Sequence, residues 1–226
     1  MQSPGVKHLF SLEDFYKKYE AETSELVING RLFKILVPKN LLKFINPRDV
    51  MHQFPLWAKI WQASWVLADY LAEMPVAAEK NFLEIGGGTG LVSIVAAAFG
   101  HHITMTEYDP DALQFARANA LLNECPQLAI QKLDWHQPRL AGRFDTIVAS
   151  EVSYREEDIQ PILMLFKNGL KIGGEVILAG EMRKLSKDMY QALETIFDIR
   201  VLKKTLRSGS DEIKVFIFHL RLKDKM

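Results

Sequence analysis

The sequence predicts an α/β fold: a three-layer α/β/α sandwich built on a mixed, mostly parallel seven-stranded sheet. Three observations carry this. From Asn81 to Ala179, short apolar runs rich in Phe, Leu, Ile and Val alternate with longer helix-compatible stretches, the pattern of strands joined by crossover helices. The loop Gly86-Gly-Gly-Thr-Gly90 joins the first of these strands directly to a helix. Two long strand-like runs then close the chain, about Ile199 to Leu206 and Glu212 to Leu222, around the turn Ser208-Gly-Ser-Asp211, which makes them an antiparallel pair.

Ahead of the sheet, Leu12 to Tyr19 reads as a short helix. Glu25 to Asn29 and Gly30 to Val37 read as a hairpin, because Asn29-Gly30 supplies the two residues that a tight primed turn needs. From Phe54-Pro55 onward an aromatic-rich helix is expected, with Trp57, Trp61, Trp65 and Ala68 at helical spacing on one face. Such a stripe serves packing against a sheet, and Trp65 is assigned to that use; Trp61 is placed beside the ligand. The expected division is an extension over residues 1–50 and one main domain over residues 51–226.

Phe82, Leu83 and Ile85 form the first strand of the sheet, and Leu91 to Phe99 the helix after the glycine loop, ending at Gly100. His102 to Glu107 is the second strand; Asp109 is the N-cap and Pro110 the first residue of the helix that runs on through Ala112 to Leu122. Leu128 to Leu133 is the third strand, followed by Asp134-Trp135, and Phe144 to Ala149 the fourth, followed by Ser150-Glu-Val-Ser-Tyr154. Met164, Leu165 and Leu170 are expected on the apolar face of the next helix, which stops at Gly173-Gly174. Glu175 to Ala179 is the fifth strand and Ser186 to Ile196 the last helix.

The glycine loop sets the chemistry. Gly86, Gly88 and Gly90 allow a ligand to lie against the main chain, and the helix that follows turns its free N–H groups toward it. Dinucleotide loops follow G-x-G-x-x-G and face a pyrophosphate, which the carboxylate of Glu84 just upstream would repel; here the spacing is G-x-G-x-G. S-Adenosylmethionine (AdoMet) has no phosphate, and its methionine end carries an ammonium that Glu84 can help hold, directly or through water. A tight turn with no ligand would use the same glycines, so the surrounding acids decide. Glu107, at the tip of the second strand and about twenty residues past the loop, stands where a nucleoside-binding α/β fold holds ribose hydroxyls. Asp134 can accept from an adenine amino group and Trp135 can pack on the ring, although an indole at a strand end is equally at home in a core. Glu151 and Tyr154 fall in the crevice beyond the carboxyl ends of the strands.

Taken together, the hairpin, the Pro-x-Trp-x-x-x-Trp segment, Glu-Ile-Gly-Gly-Gly-Thr-Gly, Asp134-Trp135 and Glu151-x-x-Tyr154 resemble the Family 16 seven-strand methyltransferases over roughly residues 25–222. That group includes many protein-lysine methyltransferases, among them those acting on the electron-transfer flavoprotein β subunit. The resemblance implies a Rossmann-like class I methyltransferase sandwich in which one strand of the C-terminal pair runs antiparallel. It also implies AdoMet as cofactor, S-adenosylhomocysteine as product, and no metal. By the same similarity, Ser150 borders the adenosine, while Glu151 and Tyr154 line the way in for the acceptor amine. The family usually carries Asp where this chain has Glu151, a side chain one methylene longer.

A protein lysine is the favoured acceptor, with a small molecule or another side chain as the alternative, and a non-catalytic binding module as the reading outside enzymes. Lys+Arg 28 balances Asp+Glu 28, so no overall basic excess points to nucleic acid. No apolar run is long enough to span a bilayer, the N-terminus has no signal-peptide pattern, and the six histidines are scattered. Cys125 is the only cysteine, which fits a reducing, cytoplasmic setting rather than a disulfide framework.

Overall fold

A computed structural model of the chain describes residues 10–45, 54–152, 155–181, 187–208 and 211–223. Helix α1 (Leu12–Lys18) and the antiparallel pair β1 (Ala21–Ile28) and β2 (Arg31–Pro38) come first. Asn29 and Gly30 both take positive φ, 44° and 76°, as the primed turn requires. Then follow α2 (Gln62–Glu73), β3 (Asn81–Ile85), α3 (Leu91–Ala98), β4 (His102–Glu107), α4 (Pro110–Leu122), β5 (Ala129–Lys132) and β6 (Phe144–Ser150). The chain ends with α5 (Glu156–Gly169), β7 (Leu170–Glu181), α6 (Lys187–Ile196), β8 (Phe197–Ser208) and β9 (Asp211–Leu222). The large sheet has the order β5-β4-β3-β6-β7-β9-β8 among the described residues. Neighbours from β5 to β7 are parallel, and β9 runs antiparallel to both β7 and β8. This is the predicted seven-stranded mixed sheet.

Side-chain alternation along the strands divides the core in two. Phe82, Val148, Ile177 and Ile217 face α2 and α3, while Leu83, Ile147, Leu178 and Phe218 face α5 and α6. The hairpin is part of the first core, since Ile28, Phe33 and Ile35 are buried in it. The expected boundary at residues 50 and 51 lies outside the described residues.

Two expectations are corrected. The aromatic helix does not begin at the proline: Leu56–Ala58 is a separate 3-10 turn, Lys59 and Trp61 are extended, and α2 starts at Gln62. The Trp61 indole donates to the Leu56 carbonyl at 2.8 Å, which holds the two turns apart. Trp57 therefore leaves the stripe, while Trp65 packs against the first core as expected. In α5 the buried face is Ile159, Ile162, Leu163, Leu165 and Phe166; Met164 is exposed, and Leu170 already belongs to β7. Leu170 is buried as a strand residue, opposite Phe144.

The order of strands reverses at β3, where the chain leaves toward β4 on one side and β6 on the other. A crevice at the carboxyl ends of such strands is where ligands sit in open α/β sheets.

Candidate active site

A cavity of about 540 Å³ opens at that point, a volume suited to a nucleoside-sized ligand. Trp57 and Trp61 wall it from the segment before α2, Gly86 to Thr89 from the glycine loop, Glu107 from the end of β4, Trp135 from the end of β5, and Ser150 to Val152 from the end of β6. The aromatic rings give apolar faces, and the glycines expose main chain.

The glycine loop is built for close approach. Gly86 has φ 62°, and a Cβ there would stand 2.8 Å from Val152 Cγ1; Gly88 has φ 54°, and a Cβ would stand 3.3 Å from the Trp57 carbonyl oxygen. Gly90, at φ 90°, is the N-cap of α3 and packs on α4 at Ala116 rather than lining the cavity. Gly87 N–H donates to the Thr106 carbonyl at 3.0 Å, and the Thr106 hydroxyl donates to the Glu84 carbonyl at 2.6 Å, which ties the loop to β4.

The acids on either side of the loop take different places. Glu84 lies beneath it, 1% exposed and off the cavity wall, with one carboxyl oxygen accepting from the Ser93 hydroxyl and, at 3.1 Å, from the Ser93 N–H in the first turn of α3. Burial pushes its pKa up to about 7, against the pull of those two donors. Glu107 faces the cavity. Its Oε2 accepts from Gly88 N–H at 2.9 Å, and its Oε1 from the N–H groups of Tyr108 and Asp109 at 2.6 and 3.0 Å. Burial raises its pKa as well, opposed by those three N–H groups.

At the far end of the cavity, Trp135 is on the wall and Asp134 is not. Asp134 instead closes the local turn, accepting from His136 N–H at 2.9 Å. The acid that does reach the wall is Asp158, from the first turn of α5, and it accepts from the Trp135 indole at 3.0 Å. Ser150 lines the cavity with its hydroxyl 3.0 Å from that of Ser64 on α2. Trp61 also lines it, with the Lys59 ammonium 5.1 Å from its ring centre.

Glu151 sits where β6 ends, in a left-handed conformation at φ 51° that a non-glycine residue adopts at some cost. Its N–H donates to the Ala179 carbonyl at 3.1 Å and its Oε1 accepts from Glu181 N–H at 2.9 Å, so β7 fixes both its backbone and its carboxylate at the cavity. Tyr154 lies outside the described residues.

Sequence reasoning missed Asp158 and two asparagines. Asn119 Oδ1 accepts from Leu36 N–H at 2.7 Å, and its Nδ2 donates to the carbonyls of Leu36 and Thr89, joining the edge of β2 to the glycine loop. Asn123 repeats the pairing one turn later on Lys34. Two asparagines four apart in a helix, where the residue is a poor former, were the available signal.

Residues 52–196, more than half of the chain, match a lysine methyltransferase family. The chain belongs to that family. Mouse protein N-lysine methyltransferase METTL21A is 31% identical over 147 residues, covering 62% of this chain and 67% of that protein. Its Xenopus tropicalis counterpart is 26% identical over 198 residues, 81% of this chain and 89% of that one. Mouse EEF1A lysine methyltransferase 3 is 30% identical over 131 residues, 56% of each chain. The chain spans only 57% of the human METTL21E pseudogene sequence and 53% of cattle METTL21E. Among solved structures, a ribosomal protein L11 methylase from Lactobacillus delbrueckii subsp. bulgaricus aligns with TM-score 0.57 and 25% identity over 74% of this chain and 81% of that one. The glycopeptide N-methyltransferase MtfA, solved with S-adenosylhomocysteine, shares the fold with TM-score 0.57 at 15% identity, over 71% and 90% of the two chains.

Proposed function

We propose that this protein is an AdoMet-dependent methyltransferase that transfers a methyl group to the side-chain amine of a protein lysine, working in the cytoplasm. The observation that carries the reading is the juxtaposition, in one cavity, of a glycine cradle that a Cβ would fill and a strained carboxylate, Glu151, held by β7. Membership of the lysine methyltransferase family supports the acceptor class. Among the described residues no helix is long and apolar enough to cross a membrane.

The cavity fits AdoMet end by end. Gly86 and Gly88 would pass the main chain along its methionine portion, Glu107 would meet the ribose hydroxyls with the lone pairs its N–H donors leave free, and Trp135 and Ser150 would border the adenosine. Glu84 and Gly90 act on that site from behind, as braces of the loop, and Asp134 shapes the turn that presents Trp135. When bound, AdoMet supplies an electrophilic methyl group on a sulfonium, open to in-line displacement by an amine.

The chain's own residues have two tasks at the acceptor end. A lysine amine has a reference pKa near 10.4 and attacks only as the free base. The aromatic walls given by Trp61 and Trp57 disfavour the ammonium by desolvation, and the Glu151 carboxylate orients the amine by accepting one of its N–H bonds. Tyr154 is assigned to the same task by its place in the motif. Positioning of two reactants accounts for much of the rate. Isothermal calorimetry with AdoMet tests the first half of the reading: micromolar binding is expected, and no heat at millimolar ligand would sink it.

A further inference from the structure

The base end of the cavity is held by a buried carboxylate that the reaction itself does not need. Asp158 is 2% exposed, yet its two oxygens collect four donors from three side chains. Oδ1 accepts from Trp135 Nε1 at 3.0 Å, His136 Nε2 at 2.8 Å and the Arg155 Nη2 group at 3.1 Å, while Oδ2 accepts from Arg155 Nε at 2.9 Å. Burial alone would raise its pKa, but the hydrogen bonds from Arg155, Trp135 and His136 outweigh it and keep the carboxyl below the usual range. An ionised carboxylate only accepts, so His136 must carry its proton on Nε2 here.

The fork from Arg155 is bidentate, the geometry in which a guanidinium fixes a carboxylate most firmly. A helix first turn favours an acid in any case, and Glu156 and Glu157 have that position too. Only Asp158 of the three lines the cavity, together with Trp135 and Arg155. The hub therefore bridges the end of β5 to the start of α5.

We propose that Asp158 is a positioning residue for the cofactor: its carboxylate locks the Trp135 indole and the Arg155 guanidinium into one rigid wall against which the adenine of AdoMet packs. This rests on the AdoMet reading above. Asp158 touches neither the methyl group nor the acceptor, so its loss should cost cofactor affinity.

The test is calorimetry with two probes, S-adenosylhomocysteine and 5′-methylthioadenosine, which share the adenosine but not the amino-acid end. The wild-type chain must bind S-adenosylhomocysteine; if it does not, the functional reading fails before Asp158 is examined. Asp158→Asn replaces an acceptor oxygen by an amide donor facing Arg155 and His136. It should raise the dissociation constant of both probes by a similar factor, roughly tenfold, the scale of one lost charge-assisted hydrogen bond. Trp135→Phe keeps a ring and removes the N–H, and the double variant should then lose less than the product of the two single effects. Unchanged affinity in a folded Asp158→Asn chain, a loss confined to S-adenosylhomocysteine, or fully multiplicative effects would overturn the proposal. Should Asp158→Asn fail to fold, Trp135→Phe alone decides: weaker binding of both probes supports the wall, and unaltered affinity refutes it.

Discussion

The two ends of the cavity are made of different materials. The end proposed to take the methionine and ribose is mostly main chain: Gly86 and Gly88 in left-handed conformations, an N–H from Gly88 into Glu107, and Glu84 sealed beneath. The rest of the cavity is side chain: Glu151, held in a strained conformation, stands at the proposed acceptor end, while Ser150 against Ser64 and Arg155 clasping Asp158 stand at the base side of the cofactor. A cofactor common to many reactions can be met by a backbone cradle. A particular acceptor needs groups that differ from one enzyme to the next. The difference implies that changes at the acceptor end should alter turnover and leave cofactor binding alone, whereas changes at the glycine loop should do the reverse.

The sharpest division is expected at Glu151. Glu151→Ala removes the carboxylate proposed to orient the amine, so methyl transfer should fall by about a thousandfold, within the range for one positioned acid or base. Calorimetry on the same sample should give an AdoMet affinity within about twofold of wild type, since each 1.4 kcal/mol is tenfold. A loss of affinity would break the separation of the two ends.

Gly86→Ala should do the opposite. The new methyl meets Val152 Cγ1 at 2.8 Å in a left-handed backbone, and strain plus overpacking together cost about 3 kcal/mol. That cost falls on the folded chain and should lower its melting temperature, and the displaced loop should weaken AdoMet binding by about tenfold in calorimetry.

Glu84 gives the loop a pH signature that its own substitution isolates. Its carboxyl binds a proton more tightly folded, near pH 7, than its reference value of 4.5. Between those values the native state carries more protons than the unfolded one, so this group's contribution to stability is complete below about pH 4.5 and is lost as pH rises through 7. Urea unfolding at pH 5 and pH 8 should therefore show a decline on the order of 2 kcal/mol that Glu84→Gln removes. An identical decline in the variant would show that Glu84 does not titrate in this window.

Trp61→Phe is the smallest of the expected effects. It loses the N–H bond to the Leu56 carbonyl and keeps the ring, which should lower stability in urea unfolding by about 1 kcal/mol. No change would show that this bond does not hold the segment before α2 in place.

The main-chain end was also the more legible one. Glycine spacing, the strand before it and the acid at the tip of β4 are local patterns, and each implies a conformation that neighbours reinforce. The side-chain end was legible only in part, because phase decides which group turns inward. Glu156, Glu157 and Asp158 read alike in sequence, and only the packing of α5 on the sheet selects Asp158. The same limit explains the false start of α2. Trp57, Trp61 and Trp65 have helical spacing, but the bond from the Trp61 indole to the Leu56 carbonyl and the extended Lys59 accompany a break in the helix between them. Asp134 and Asp158 show the reverse case, where an acid in the expected motif makes a turn and one twenty-four positions later reaches the cavity wall.

The claim that a protein lysine receives the methyl group is tested most directly by labelled AdoMet. The protein is incubated with a fractionated cell extract, and the labelled products are hydrolysed and resolved by mass spectrometry. The account predicts methylated lysine with wild-type protein and none with Glu151→Ala. Label on another side chain, on a small molecule, or nowhere despite measured AdoMet binding, would contradict it.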